Sequence, residues 1–198
     1  MPDYYLEGEE RFGPIMSRLY SFFRCTGRAK ALYRFISSDL EASGASRILD
    51  VGTGTGTVPI MLAKSNPGLK LYAVDPSESM IKIAKSSSRG LKNAKFGLGS
   101  SRSILFGGKF DIIFTSLSFH HWKDKEGSLR YLATRLSKGG EIRVYEFDRG
   151  KANPFFKALS SHMSTISEIA ESGRKAGLKL SSSKESGGII RATLKRKN

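Results

Sequence analysis

Three glycines at alternate positions follow a carboxylate in Asp50-Val51-Gly52-Thr53-Gly54-Thr55-Gly56. Glycine takes positive φ freely and carries no Cβ, so such a run lets the backbone turn sharply beneath a ligand lying across it. Residues Arg47 to Val51 read as a short buried strand leading into the turn. A helix is expected to start near Val58-Pro59, with its free N–H groups aimed at the ligand. Strand, glycine turn and helix in that order make the first βα unit of a nucleotide-type site in a doubly wound α/β fold. The dinucleotide fingerprint G-x-G-x-x-G needs glycine at position 57, where this chain has Thr57. Asp50 argues the same way, because a carboxylate beside the turn repels a pyrophosphate and favours a cationic cofactor.

A second acid follows at the expected distance. Leu69 to Val74 reads as another buried strand, and it ends in Asp75-Pro76-Ser77. The separation from Gly56 is near the roughly 20 residues at which such folds set the acid that holds a ribose. Asp75 can accept hydrogen bonds from both vicinal hydroxyls, or it can serve as a turn residue before Pro76. Ser77 is placed to cap the next helix. Met80 lies one turn into that helix, either against a bound base or within the stripe of Met80, Ile81, Ile83 and Ala84.

The D-x-G-x-G-x-G run from Asp50, with Asp75, resembles the class I S-adenosylmethionine-dependent methyltransferases, most closely the small "type 11" members. The resemblance runs from about Arg47 to the C-terminus. It implies a Rossmann-like methyltransferase fold, an α/β doubly wound seven-stranded sheet that is mostly parallel with a C-terminal antiparallel hairpin. It implies S-adenosyl-L-methionine as cofactor, held by Asp50, Gly52, Thr53, Gly54, Gly56, Asp75, Pro76 and Met80. Gly99 to Phe106 resembles the family's third cofactor segment, with Ser100 in place of the usual aspartate at the adenine amino group. Ser100 and Ser101 are then expected to make that contact through a hydroxyl or backbone groups. The segment Lys109 to Trp122 resembles the fourth strand and the loop after it, which sets Ser116, Ser118 and His120 near the transferable methyl. An amine or thiolate acceptor needs only alignment, whereas an oxygen or carbon nucleophile wants a base, and His120 is the candidate. Two adjacent histidines cannot face the same way on an extended segment, so His121 is expected to be a packed residue. The methyl acceptor stays open among small molecules, proteins and RNA. A cofactor-binding subunit without catalysis, supporting a partner, is the alternative reading.

The elements that must position these residues are legible around them. Residues 10–42 read as helix, and residues 1–46 as a helical lid over the cofactor mouth, with Tyr4, Tyr5 and Tyr20 able to close it. Residues 47–198 then form the methyltransferase domain. Asp124 caps a helix bearing Leu129, Leu132 and Leu136 that is expected to stop at Gly139-Gly140. Glu141 to Phe147 reads as the fifth strand, and its Glu146 and Asp148 orient a substrate or form a loop salt bridge. Residues 151–163 read as a loop and short helix over the substrate. A helix from Ile166 to Ala176 precedes a hairpin, Leu178–Ser183 and Ile189–Leu194, turning at Gly187-Gly188.

The chain has 198 residues, enough for one such domain. No apolar run approaches the roughly 18 residues of a membrane span, and no secretory signal is evident at the start, so a cytoplasmic chain is expected. A single cysteine, Cys25, excludes an internal disulfide and a thiolate metal cluster. The net charge is +15. Residues 1–46 are balanced, residues 47–150 carry 17 basic and 9 acidic residues, and residues 151–198 carry 10 and 3. Such a field attracts RNA or another polyanion, unless it is only a solvated surface. Oligomeric state is not legible.

Overall fold

A computed structural model describes residues 27–149 and 163–197. Its elements run α1 (Gly27–Glu41), β1 (Arg47–Val51), α2 (Thr57–Ser65), β2 (Lys70–Asp75), α3 (Glu78–Ser87), β3 (Ala94–Leu98) and β4 (Phe110–Ser116). A 3-10 turn (Phe119–His121) follows, then α4 (Lys125–Thr134), β5 (Leu136–Phe147), α5 (Ile166–Lys175), β6 (Leu178–Ser186) and β7 (Ile189–Arg196). The seven strands form one sheet in the order β3-β2-β1-β4-β5-β7-β6. Strands β1 to β5 are parallel, and β7 runs antiparallel between β5 and β6. The order reverses at β1 and β4, so a crevice opens outside their carboxyl ends.

Side-chain alternation along the strands explains why helices cover both faces. Ile48, Leu71, Ile112, Phe114 and Tyr145 face α1 and α2. Leu49, Val51, Ile113, Ile142 and Val144 face α4 and α5. The apolar stripe of α1, Leu32, Ile36 and Leu40, is fully buried against the first face, and each such side chain contributes about 1.5–3 kcal/mol. The described part of the N-terminal segment therefore covers the sheet. Residues 1–26, with Tyr4, Tyr5 and Tyr20, and residues 151–162 of the expected substrate loop lie outside the described residues.

Two boundaries differ from the sequence reading. The helix expected to reach Gly139 ends at Thr134, and Leu136 already pairs with Phe110. A register shift between Phe110 and Ile112 absorbs the glycines, and Gly140 lies so close to the Phe110 carbonyl that a Cβ would meet it at 2.9 Å. Strand β3 carries no clear strand signal in the sequence. Its sequence, Ala-Lys-Phe-Gly-Leu, has weak strand character, and five paired positions along β2 hold it extended.

Candidate active site

The glycine turn stands at the crevice. Gly52, Gly54 and Gly56 have φ of 77°, 55° and 76°, a region that L side chains rarely enter. Space is equally limiting at Gly52, where a Cβ would lie 2.0 Å from Ser118 Oγ. The turn and the loop after β4 therefore touch, which brings Ser118 beside Gly52. Gly56 precedes α2 without a side-chain cap, so the first-turn N–H groups keep no side-chain partner from that position.

Both acids lie beneath this turn and are bound to it. Thr53 Oγ1 donates to Asp50 Oδ2 at 2.7 Å, and the Gly54 N–H donates to Asp75 Oδ2 at 2.7 Å. Asp75 Oδ1 accepts from the Ser77 N–H at 2.9 Å. Asp75 is 7% exposed. Asp50 is 1% exposed, and its Oδ1 is buried without a hydrogen-bond partner among the described residues. Burial pushes the Asp50 carboxyl from 3.8 up to about 8, the Thr53 hydrogen bond lowers it, and the charge of Asp75 raises it further. An orphaned buried carboxylate oxygen is costly unless a donor or cation meets it. The residues therefore fit a ligand that brings an ammonium group to this point.

The other residues expected at the site have varied surroundings. Ser77 caps α3 by accepting from the Met80 N–H, and Met80 is buried one turn in. Pro76, half-buried, bridges Asp75 and that cap. Ser100 is buried and its hydroxyl accepts the Arg102 N–H at 3.2 Å, while its backbone pairs with Ser103. Ser101 instead shares a buried 2.7 Å hydrogen bond with Ser128 of α4, so its hydroxyl joins the loop to that helix. Ser116 is half-buried at the end of β4, paired with Tyr145. Leu117 follows with φ of 51°, a strained conformation for a branched side chain at the crevice edge.

His120 and His121 correct an expectation. They lie on a 3-10 turn rather than an extended segment, and their rings are close, with centroids 3.9 Å apart and planes tilted by 46°. His120 Nδ1 contacts both Glu146 oxygens at 3.0 and 3.1 Å, and its backbone N–H meets Oε1 at 3.3 Å. Glu146 is 0% exposed. From the sequence, Glu146 is either a substrate contact or a partner in a loop salt bridge. A lone carboxylate inside the apolar run Val144-Tyr145-Glu146-Phe147 was the available signal that it has a buried partner.

Comparison with known proteins agrees with this geometry. Residues 42–192 match a family model described as a methyltransferase domain. A demethylmenaquinone methyltransferase of Thermus thermophilus is 33% identical over 137 residues, covering 67% of this chain and 60% of that one. Among solved structures, an S-adenosylmethionine-dependent methyltransferase from Aquifex aeolicus superposes with a TM-score of 0.69 at 23% identity, covering 92% of this chain and 98% of that one. The magnesium protoporphyrin IX methyltransferase of Synechocystis, solved with bound S-adenosylhomocysteine, gives 0.66 at 15% identity, covering 97% and 91%. The chain spans between 53 and 60% of the length of the first curated relatives it matches. Matched along most of its length, with the seven-stranded order and the acid-and-glycine turn in place, the chain belongs to the methyltransferase-domain family.

Proposed function

We propose that the chain binds S-adenosylmethionine at the carboxyl ends of β1, β2 and β4 and transfers its methyl group to a nucleophilic acceptor. The observation that carries the reading is the orphaned Asp50 oxygen under a glycine turn whose Thr53 and Gly54 bind the two acids. Asp50 would face the cofactor's ammonium and Asp75 its ribose hydroxyls. Gly52, Gly54 and Gly56 give the backbone room for it, with Met80, Ser100 and Ser101 on the base side and Ser116 and Ser118 on the methionine side. The cofactor supplies an electrophilic sulfonium methyl; the protein aligns the acceptor and excludes water. His120, oriented by Glu146, would take a proton from an acceptor that carries one. Residues 1–46 are read as including the cover of this mouth. The family match and the bound S-adenosylhomocysteine of the Synechocystis enzyme support the cofactor assignment.

Titration calorimetry with S-adenosylmethionine, S-adenosylhomocysteine and NAD tests the reading. Binding of the first two without the third is expected, and Asp75→Ala weakens it at least about tenfold, since a charge-assisted hydrogen bond is worth roughly 1.5–3 kcal/mol. Binding of NAD alone refutes it. Binding without transfer in a labelled-methyl screen over RNA, protein and small-molecule extracts identifies a cofactor-binding, partner-supporting subunit instead.

A further inference from the structure

The charge excess is not spread evenly over the sheet; it gathers at the end away from the cofactor. In a parallel sheet the strand starts and helix ends share one face, here the one opposite the crevice. The register sets Arg47 beside Lys70, and Glu141 beside Lys195, which in turn pairs with Lys179. Lys64, Lys85 and Arg174 end helices on this face, where cations complement the helix dipole, Arg174 being paired with Glu171. That ordinary cause does not extend to the strand starts. Lys109 immediately precedes β4, while Lys70, Lys95, Lys138 and Lys179 lie within the first three residues of β2, β3, β5 and β6, and all five are exposed. At the end of β7 stand Lys195, Arg196 and Lys197. The acids on this face are few and engaged: Glu41 accepts from Ser65 and Asn66, Asp111 from Ser46, Arg47 and Ser137, and Glu141 pairs with Arg143 and Lys195.

We propose that this amino-end face binds the phosphate backbone of RNA, away from the methyl-transfer site. Seven strands at about 4.8 Å spacing make the basic band roughly 29 Å wide, long enough to follow several consecutive phosphates. Between the cations the loops are built from small residues. Gly44, Gly68, Gly90, Gly107, Gly139 and Gly177 have open space where a side chain would stand, so a backbone can approach closely. The connecting segments 42–46, 66–69, 88–93 and 107–109, and residues 135–140 at the start of β5, expose no large apolar side chain. A membrane-docking face would present such side chains for insertion; a polyphosphate-docking face has no use for them. Because the band lies opposite the crevice, the bound strand is tethered to the enzyme without occupying the cofactor mouth. The inference is independent of the methyl-transfer reading.

Fluorescence anisotropy with labelled poly(U) RNA tests it across a salt series. The wild-type chain is expected to bind with log Kd rising steeply with log salt, by about 0.7 for each phosphate engaged. Lys95→Glu/Lys109→Glu/Lys138→Glu is expected to lose at least about tenfold in affinity and to flatten the slope by about two. Lys30→Glu/Lys82→Glu/Lys123→Glu makes the same net-charge change elsewhere and is expected to bind within about twofold of wild type. Saturating S-adenosylhomocysteine leaves RNA affinity unchanged. Equal losses in the two triple variants, capture by phosphatidylserine vesicles but not by poly(U), or no binding of either, overturns the proposal. Matched unfolding midpoints confirm that each variant is folded.

Discussion

Glu146 holds His120 at two points, accepting from its backbone N–H and facing its ring Nδ1 with both carboxylate oxygens. An ionised carboxylate can only accept, so the neutral ring carries its proton on Nδ1 and leaves the Nε2 lone pair free. That tautomer is the one a proton-accepting role requires. Long-range 1H–15N correlation spectra of the neutral protein are expected to report His120 as the Nδ1–H form. Glu146→Gln, whose amide also offers a donor, is expected to mix the tautomers while S-adenosylmethionine affinity stays within about twofold. A wild-type ring protonated on Nε2 would remove His120 from consideration as a base.

Asp50 makes the fold and the cofactor pH-linked. Its carboxyl titrates near 3.8 unfolded and at about 8 in the fold, where burial disfavours the charge. The native state therefore holds an extra proton between these values, so stability from this group is full below about pH 4 and is lost as pH rises through about 8. Urea midpoints of wild type relative to Asp50→Asn are expected to fall across that window. A cofactor ammonium stabilises the ionised form, so binding at neutral pH releases a proton. Calorimetry in buffers of different ionisation enthalpy detects that release in wild type and not in Asp50→Asn. Identical binding enthalpies in all buffers for the wild type would place the ammonium away from Asp50.

What the sequence disclosed, and what it withheld, follows from the range of the interactions involved. β1 was readable to the residue because its strand, turn and helix signals are all local, and the caps at Ser77 and Asp124 likewise depend on neighbours three residues away. β3 and the early start of β5 were not readable, since both are imposed by pairing with strands distant in the chain. The positions of Asp50 and Asp75 near the carboxyl ends of β1 and β2 were legible because the spacing of the motif carries them. The His120–Glu146 contact joins residues 26 apart, so the apolar run around Glu146 signals a buried partner without naming His120. Ser101 shows the converse: its position in the motif said nothing of Ser128, which takes its hydroxyl.

Asp39 anchors α1 to the sheet through a buried charge cluster. Its carboxylate accepts from Arg143 Nη1 at 2.7 Å, Arg191 Nη1 at 2.6 Å and the Tyr145 hydroxyl at 2.7 Å. Burial, followed by the Asp39 charge, holds the Tyr145 phenol well above its ordinary range, so it stays a neutral donor. Removing the carboxylate leaves two largely buried guanidiniums short of a counter-charge. Asp39→Ala is expected to cost about 3 kcal/mol, the low end for a broken buried pair because Arg143 keeps Glu141. Denaturant unfolding measures it; a loss below about 1 kcal/mol would mean that water replaces the carboxylate at little cost.

Gly52 and Ser118 offer a test that separates backbone conformation from space. Gly52→Ala meets two obstacles, a φ of 77° and a Cβ set 2.0 Å from Ser118 Oγ and 2.6 Å from its Cβ. Positive φ alone costs an alanine roughly 1–2 kcal/mol, and the steric part adds to it. Ser118→Gly removes the obstructing side chain but leaves the dihedral cost. The double variant Gly52→Ala/Ser118→Gly is therefore expected to recover part, not all, of the stability lost in Gly52→Ala, a coupling that a double-mutant cycle of urea midpoints measures. Additive losses would show that the loop after β4 moves aside freely. In that case the contact between the glycine turn and Ser118 does not fix the floor of the cofactor crevice.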